Sequence, residues 1–183
     1  MDFILEGAGI FIYPLGLCSI AALFIIIERL ISLRASKVIP HRIEKSLYDG
    51  ILPEVDGKSS AGRIVGFYKY SNADAEALKA FAQLEITKLD RGMFVLDIVI
   101  SSAPLLGLLG TVAGLVGVFA SGDAIPSPES ISKGVALALS TTILGLSIAI
   151  PAIISSSFLN RRIDKLAARM NVCVERMLNI KNK

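Results

Sequence analysis

Glycines and a threonine inside an apolar stretch are the features of this sequence best suited to chemistry. Four glycines lie at spacings of 3, 4 and 3, with the threonine on the same face: Gly107, Gly110, Gly114, Gly117 and Thr111. In lipid, small residues at helical spacing let two helices approach closely. One interpretation is that the stripe only packs, with the hydroxyl bonded to the carbonyl four residues earlier. The other is that it holds the threonine along a polar path for ions.

A later apolar stretch adds more hydroxyl groups. Ser140, Thr141 and Thr142 are consecutive, and Gly145 lies with Thr142 on a small, partly polar face. Hydroxyls inside a membrane can bind water and relay protons, but they also form ordinary hydrogen bonds between helices. The residue types alone leave both interpretations open.

Ionisable side chains usually mark function inside a membrane, and they are nearly absent from these stretches. We expect Asp97 and Glu28 at the cytoplasmic mouths of two helices, with no charge at mid-membrane. If the protein moves protons or sodium ions, the titrating carboxylate should therefore come from another chain.

Other chemistries find little support. The lone His41 follows Pro40, which is a poor setting for a Ser-His-Asp site. No cluster of His, Cys and carboxylates predicts a metal site, and the glycine stripe lacks the Lys of a phosphate-binding loop. Although the pI is near 8.9, the cations are better explained by membrane topology than by nucleic-acid binding. The sequence therefore predicts neither an enzyme nor a nucleic-acid-binding protein.

Three uncharged blocks, 7–27, 98–122 and 134–160, must position these residues. Each exceeds the roughly 20 residues that a helix needs to cross a bilayer. We predict an all-α membrane protein with three transmembrane helices, two of them extended into the cytoplasm. Its predicted segments are a periplasmic N-terminus (1–9), transmembrane helix 1 (10–33), a cytoplasmic helical segment (34–93), transmembrane helix 2 (94–120), a periplasmic loop (121–132), transmembrane helix 3 (133–159) and a cytoplasmic C-terminal helix (160–183).

The distribution of charge predicts the orientation. Of the 19 Lys and Arg residues, only Lys133, the first residue of predicted transmembrane helix 3, lies at the outer side. By the positive-inside rule, the N-terminus is periplasmic and the C-terminus cytoplasmic. The first block is preceded by acidic rather than basic residues, so we expect a retained helix rather than a signal peptide.

Two helices are expected to continue beyond the membrane. Residues 74–120 are rich in helix formers and predict one long helix without a true break, with Gly92 as its weak point. Short helices are expected after Pro40 and Ser59. The C-terminal tail carries apolar residues at spacings of 3, 4, 3, 4 and 3, which predict a helix packed against another helix. These residues are Ile163, Leu166, Met170, Cys173, Met177 and Ile180.

Two of these stretches resemble a known family. Residues 103–114 (APLLGLLGTVAG) are similar to the second transmembrane signature of the MotA/TolQ/ExbB proton channel family, and residues 141–152 (TTILGLSIAIPA) to its third. The two come in the family's order, and Glu28-Arg29 closes the first helix. The resemblance therefore covers all three spans, whereas the cytoplasmic segment matches only loosely.

The resemblance implies a role and partners. Family members form a homo-oligomeric ring, usually a pentamer, in the bacterial inner membrane around ExbD-, TolR- or MotB-like single-span helices that supply a membrane aspartate. A TonB- or TolA-like protein is a further partner in such systems. Thr111 and Thr142 would line the ion path, together with their neighbours Thr141 and Ser140. No cofactor is implied, and the translocated ion would be H+, with Na+ as the alternative.

One residue departs from the family pattern. Leu137 stands five residues before Thr142, where many ExbB- and TolQ-like proteins have a glutamate. This departure favours a second hypothesis, a membrane scaffold that holds its partners without conducting ions. A flagellar or gliding-type stator subunit is a third hypothesis. It is disfavoured against an ExbB/TolQ-type motor subunit that drives envelope transport or integrity, because flagellar stator subunits resemble a four-span design with a larger cytoplasmic domain.

Overall fold

A computed structural model of the chain describes residues 9–71, 74–120 and 127–181. All regular structure in these ranges is helical. A 3-10 turn at Gly9–Phe11 leads into the first α-helix, and a second one, Lys88–Asp90, follows the fifth. The α-helices are α1 (Ile12–Ser32), α2 (Ala35–Val38), α3 (His41–Tyr48), α4 (Ser60–Tyr70), α5 (Ala75–Thr87), α6 (Met93–Ala120) and α7 (Pro128–Lys181).

The chain divides into two compact units. The apolar unit comprises Met1–Ile26 and Met93–Ser156, and the charged unit comprises Ile27–Gly92 and Ser157–Lys183. Helices α1 and α7 therefore contribute residues to both units.

Three helical stretches are long and apolar enough to cross a membrane, as the sequence predicts. Their most apolar windows have mean hydropathies of 2.0, 2.0 and 2.1. Large apolar side chains on them point outward, among them Leu17 at 70% exposure and Leu105 at 64%. Such surfaces are stable in contact with lipid, where the helices also satisfy their own backbone hydrogen bonds.

The charged unit has an apolar core of its own. The C-terminal seam is confirmed for five of its six predicted members, because all but Ile180 are buried, and Val174 joins them. Helices α4 and α5 pack with the rings of Phe67 and Phe81 stacked 4.3 Å apart. The predicted short helices after Pro40 and Ser59 are confirmed as α3 and α4, and the Ser59 hydroxyl caps α4 by accepting a bond from the Gly62 amide.

The prediction of an unbroken helix over 74–120 is wrong at its weak point. After Thr87 the chain forms the 3-10 turn, and Gly92 has a φ of 86°, in the left-handed region that favours glycine. Leu89, within the turn, is buried, and its carbonyl accepts a hydrogen bond from Arg29 Nη1 at 3.3 Å. This tertiary contact helps to hold the interruption, which local helix propensity does not reveal.

The expected outer loop differs in extent. Helix α7 begins at Pro128, so residues 128–132 are helical rather than part of a turn at 121–132. Proline suits the first turn of a helix because its missing N–H would have no partner there, and the Ile131 amide bonds the Ser127 carbonyl at 3.1 Å. Residues 121–126 lie outside the described ranges, as do residues 1–8 of the predicted N-terminal segment.

Candidate functional site

Two glycines bring the backbones of α6 and α7 into direct contact within the apolar unit. A Cβ added at Gly145 would lie 2.5 Å from the Ala103 carbonyl oxygen and 3.2 Å from the Gly107 Cα. A Cβ at Gly107 would in turn lie 2.8 Å from the Thr141 carbonyl oxygen. No side chain fits at either position without moving backbone, so this crossing depends on glycine.

The close contact with α7 continues toward the C-terminal end of α6. A Cβ at Gly110 would lie 2.7 Å from Thr141 Oγ1, and one at Gly114 would lie 3.0 Å from the Ala138 Cβ. The predicted packing role thus fits Gly107, Gly110, Gly114 and Gly145. All these contacts lie within one chain, so the stripe packs α6 against its own α7.

The stripe ends before its last predicted member. Gly117 has open space around it among the described residues, so it does not pack against α7 of its own chain, and its predicted role in helix packing stays a prediction. Gly134 on α7 is a further packing glycine that its spacing does not reveal, because a Cβ there would collide with the side chain of Val118. Its signal was a glycine near the start of the third apolar block, facing the last turns of the second.

Three threonine hydroxyls converge on one backbone carbonyl at this crossing. The Gly107 oxygen lies 3.0 Å from Thr111 Oγ1, 2.9 Å from Thr141 Oγ1 and 3.1 Å from Thr142 Oγ1. The carbonyl can be reached from α7 because Gly107 and Gly145 leave no side chain in the way. The same glycines therefore allow both the close packing of the helices and the convergence of the hydroxyls.

Thr111 and Thr142 also contact each other across the two helices. Their Oγ1 atoms are 2.6 Å apart, and either can donate. Since the Gly107 carbonyl can accept from both, two arrangements are available: Thr111 donates to Thr142 and Thr142 to the carbonyl, or the reverse. Both side chains are partly exposed, so the pair can meet a water molecule, an ion or a partner's side chain.

The neighbouring hydroxyls are placed differently. Thr141 is 1% exposed and donates toward the carbonyls of Gly107 and Ala138, the latter at 2.8 Å. Ser140 is 4% exposed and donates to the Ala136 carbonyl at 3.0 Å. Within one chain, these two hydroxyls form hydrogen bonds with backbone carbonyls, and their side chains are buried from solvent. The structure therefore separates the four predicted lining residues into an accessible pair and a buried pair.

The two predicted carboxylates do not join this cluster. Asp97 is exposed, in the first turns of α6, and its backbone carbonyl accepts a bond from the Ser101 hydroxyl at 2.9 Å. Glu28 forms an ion pair with Arg29, with 2.6 Å between Oε2 and Nε. Arg29 is 7% exposed, so Glu28 neutralises a guanidinium that also bonds the Leu89 carbonyl. Leu137 is partly exposed on α7.

Metal chemistry has no candidate site in the described ranges, where no group of three or more His, Cys, Asp or Glu side chains could hold an ion. The arrangement supplies hydroxyl groups and a carbonyl between two apolar helices. Such groups can accept and donate hydrogen bonds to a passing water or ion, but none of them titrates near neutral pH.

The chain is similar in sequence to known membrane transport proteins. Residues 68–172 match the MotA/TolQ/ExbB proton channel family. The biopolymer transport protein ExbB of Aquifex aeolicus is 37% identical over 125 residues, which cover 65% of this chain and 84% of the relative. The ExbB of Helicobacter pylori is 36% identical over 109 residues, covering 56% and 72%. The Tol-Pal system protein TolQ of Haemophilus influenzae is 31% identical over 138 residues, covering 66% and 60%.

The matched region contains the glycine crossing and all three threonines. The chain belongs to the MotA/TolQ/ExbB proton channel family, and its three apolar helices make it a multi-pass protein of the inner membrane.

Proposed function

We propose that the chain is an ion-conducting subunit that couples the proton motive force to work in the cell envelope. The observation that carries the proposal is the Thr111–Thr142 hydroxyl pair, 2.6 Å apart on two apolar helices of a proton-channel-family protein. The pair is partly exposed, and either hydroxyl can donate to the other. It can therefore donate hydrogen bonds to, and accept them from, water molecules along an ion path. H+ is the proposed ion, and Na+ is the alternative.

The proposal requires a second component. Blocks 98–122 and 134–160 contain no ionisable side chain, and hydroxyls alone do not take up and release protons near neutral pH. We therefore assign the titrating group to an ExbD/TolR-like single-span partner whose membrane aspartate passes the hydroxyl pair. The names of the relatives, biopolymer transport protein and Tol-Pal system protein, support an envelope role with a TonB- or TolA-like target.

Assembly and orientation complete the proposal. A pentameric ring would bury part of the outward apolar surface of the three helices around the partner. Lys and Arg are concentrated in 28–92 and 161–183, which supports a cytoplasmic position for these segments and a periplasmic N-terminus. In this assignment Asp97 and Glu28 lie at the cytoplasmic ends of their helices.

Proton flux in liposomes tests the function. The chain is co-purified with its ExbD-like partner, reconstituted, and followed with an internal pH dye under an imposed potential, with sodium flux measured in parallel. Flux that requires both components, and that is lost when the partner's aspartate is changed to asparagine, supports the proposal. A well-assembled complex that passes neither ion would contradict it.

Leu137 favours a second candidate, the non-conducting scaffold, because the chain lacks a carboxylate where many relatives have one. Leu137→Glu separates the two. If the chain conducts as it stands, the variant changes the rate or pH dependence of an existing flux. If wild type is silent and Leu137→Glu creates flux, the scaffold hypothesis is correct.

A further inference from the structure

Helices α2 and α3 in the charged unit carry a cationic face immediately after the first apolar helix ends. Helix α1 ends at Ser32, and the exposed cations of this face are Arg34, Lys37, Arg42 and Lys45. His41 is exposed beside them. We propose that this face, called here the cationic face, binds the headgroups of anionic phospholipids at the membrane surface.

The fold fixes which way the cations point. The apolar residues between them are buried in the core of the charged unit: Val38, Ile39, Ile43 and Leu47 are each at most 4% exposed. The packing of these apolar residues therefore leaves the four cations exposed at the surface of the charged unit.

The charge of the face is largely uncompensated. Glu44 is the one carboxylate in residues 34–48. It is turned to Arg169 of α7, with 2.7 Å between Oε2 and Nη2. Arg29 is similarly paired with Glu28. The next carboxylate along the chain, Asp49, follows the end of α3. Among the described residues, the four cations of the face form no ion pair.

Proximity to the bilayer follows from chain connectivity. Arg34 is two residues beyond the end of an apolar helix that is long enough to cross a membrane. Basic residues close to an anionic surface each contribute about 1 kcal/mol, and the attraction decays within a Debye length of about 10 Å. Arg34 and Lys37 are close enough to the end of the span along the chain to lie within that range, and Arg42 and Lys45 follow on the next helix.

The binding must be electrostatic rather than by insertion. An amphipathic helix that enters a membrane does so through a free apolar face, whereas the apolar face of α3 is already buried by the charged unit. We therefore expect the lipid preference to depend on headgroup charge and salt, and not on acyl-chain composition.

The test measures the preference of spin-labelled phosphatidylglycerol over phosphatidylcholine for the full-length protein in liposomes. The variant is Lys37→Gln, Arg42→Gln and Lys45→Gln combined. The matched control removes three other exposed cations of the charged unit, through Lys58→Gln, Lys69→Gln and Lys79→Gln. We expect the first triple variant to lower the preference at least about fivefold, the effect of roughly one such cation, and the control to leave it unchanged. High salt should reduce the wild-type preference to the level of the first variant.

Two results would overturn the proposal. One is an equal preference in wild type and the first triple variant, or an equal loss in the control. The other is a protein without lipid preference that binds a polyglutamate peptide in detergent through the same three residues, because the face would then bind an acidic protein. Circular dichroism of both variants checks that the helices remain intact.

Discussion

The two units of this protein bury polar groups of different kinds. Among the described residues, the buried polar side chains of the apolar unit are hydroxyls: Ser140, Thr141 and Ser156. The charged unit buries Arg29 and Glu85 as well as serines. The apolar unit is held together by close backbone contacts and hydroxyl hydrogen bonds. The charged unit is held together by buried apolar side chains and ion pairs.

The two units bury different polar groups because one is surrounded by lipid and the other by water. Between helices in lipid there is no hydrophobic driving force, so association depends on close approach and on short hydrogen bonds. A charge there costs several kcal/mol unless it is paired. In water the same chain can bury long apolar side chains and accommodate charges that have partners. The glycines of α6 thus suit helix packing in lipid, whereas the apolar seam of α7 suits helix packing in water.

The largest expected effect comes from breaking the glycine crossing. Gly145→Leu should destabilise the protein by more than about 3 kcal/mol, the upper part of the range for overpacked sites, because its side chain meets the Ala103 backbone. Thermal unfolding followed by circular dichroism in detergent checks this. Gly117→Leu is the matched control, since Gly117 has open space around it. Equal melting of the two variants would show that the backbones do not touch.

A smaller effect is expected from the buried carboxylate of the charged unit. Glu85 is 0% exposed and accepts bonds from Arg63 and Lys88, with Nζ of the latter at 2.6 Å. Burial raises the pKa of Glu85, but the bonds and charges of Arg63 and Lys88 outweigh it, so the pKa lies below its ordinary value. Glu85→Gln should cost about 1.5–3 kcal/mol near neutral pH, the range for bonds to charged groups.

The pH dependence of this effect has a defined sign. A depressed pKa contributes stability that is present above the ordinary glutamate pKa of about 4.3 and is lost as the pH falls through the folded-state value. The difference in melting temperature between wild type and Glu85→Gln should therefore shrink on acidification. Glu54→Gln, at an exposed carboxylate, is the control. A difference that grows at low pH would reverse the assignment.

A single hydrogen bond gives the third effect. The Tyr68 hydroxyl donates to the Met177 carbonyl at 3.1 Å, and Tyr68 is 7% exposed. Tyr68→Phe should lower stability by about 0.5–1.5 kcal/mol. Tyr70→Phe, at a side chain 80% exposed, should change little. Matching losses in both variants would mean that the bond does not contribute.

The smallest effect is expected at the half-exposed ion pair. Glu44 and Arg169 keep 23% and 41% of their side chains exposed. A double-mutant cycle with Glu44→Gln and Arg169→Gln should give a coupling of about 0.2–1 kcal/mol that weakens with salt. A coupling above about 2 kcal/mol would place this pair with Glu85 rather than with surface pairs.

Much of this structure could be predicted from periodicity. The heptad spacing of the tail identified five buried residues, because an apolar seam on a helix in water is stable only when it packs against another apolar surface. The uncharged blocks identified the three apolar helices for a similar reason. The interruption near Gly92 could not be predicted, because a glycine costs a helix only about 1 kcal/mol, and the contact of Arg29 with Leu89 that helps to hold the turn is not visible in the local sequence.

The candidate site was predictable by residue but not by geometry. Thr111, Thr142 and Gly107 were identifiable from their types and spacing. Their convergence on one carbonyl depends on the register of α6 against α7, which small residues at spacings of 3 and 4 do not determine. The same uncertainty explains why the contact of Gly134 with Val118 could not be predicted.

We expect the Thr111–Thr142 pair to serve conduction as well as packing. Thr142→Ser and Thr142→Val, compared in proteoliposomes that contain the ExbD-like partner, test this directly. Serine keeps the hydroxyl, whereas valine keeps the shape. We predict that Thr142→Ser retains most of the proton flux and Thr142→Val loses it, while both assemble as wild type does. Equal flux through the two variants would contradict the claim and leave the threonines a packing role alone.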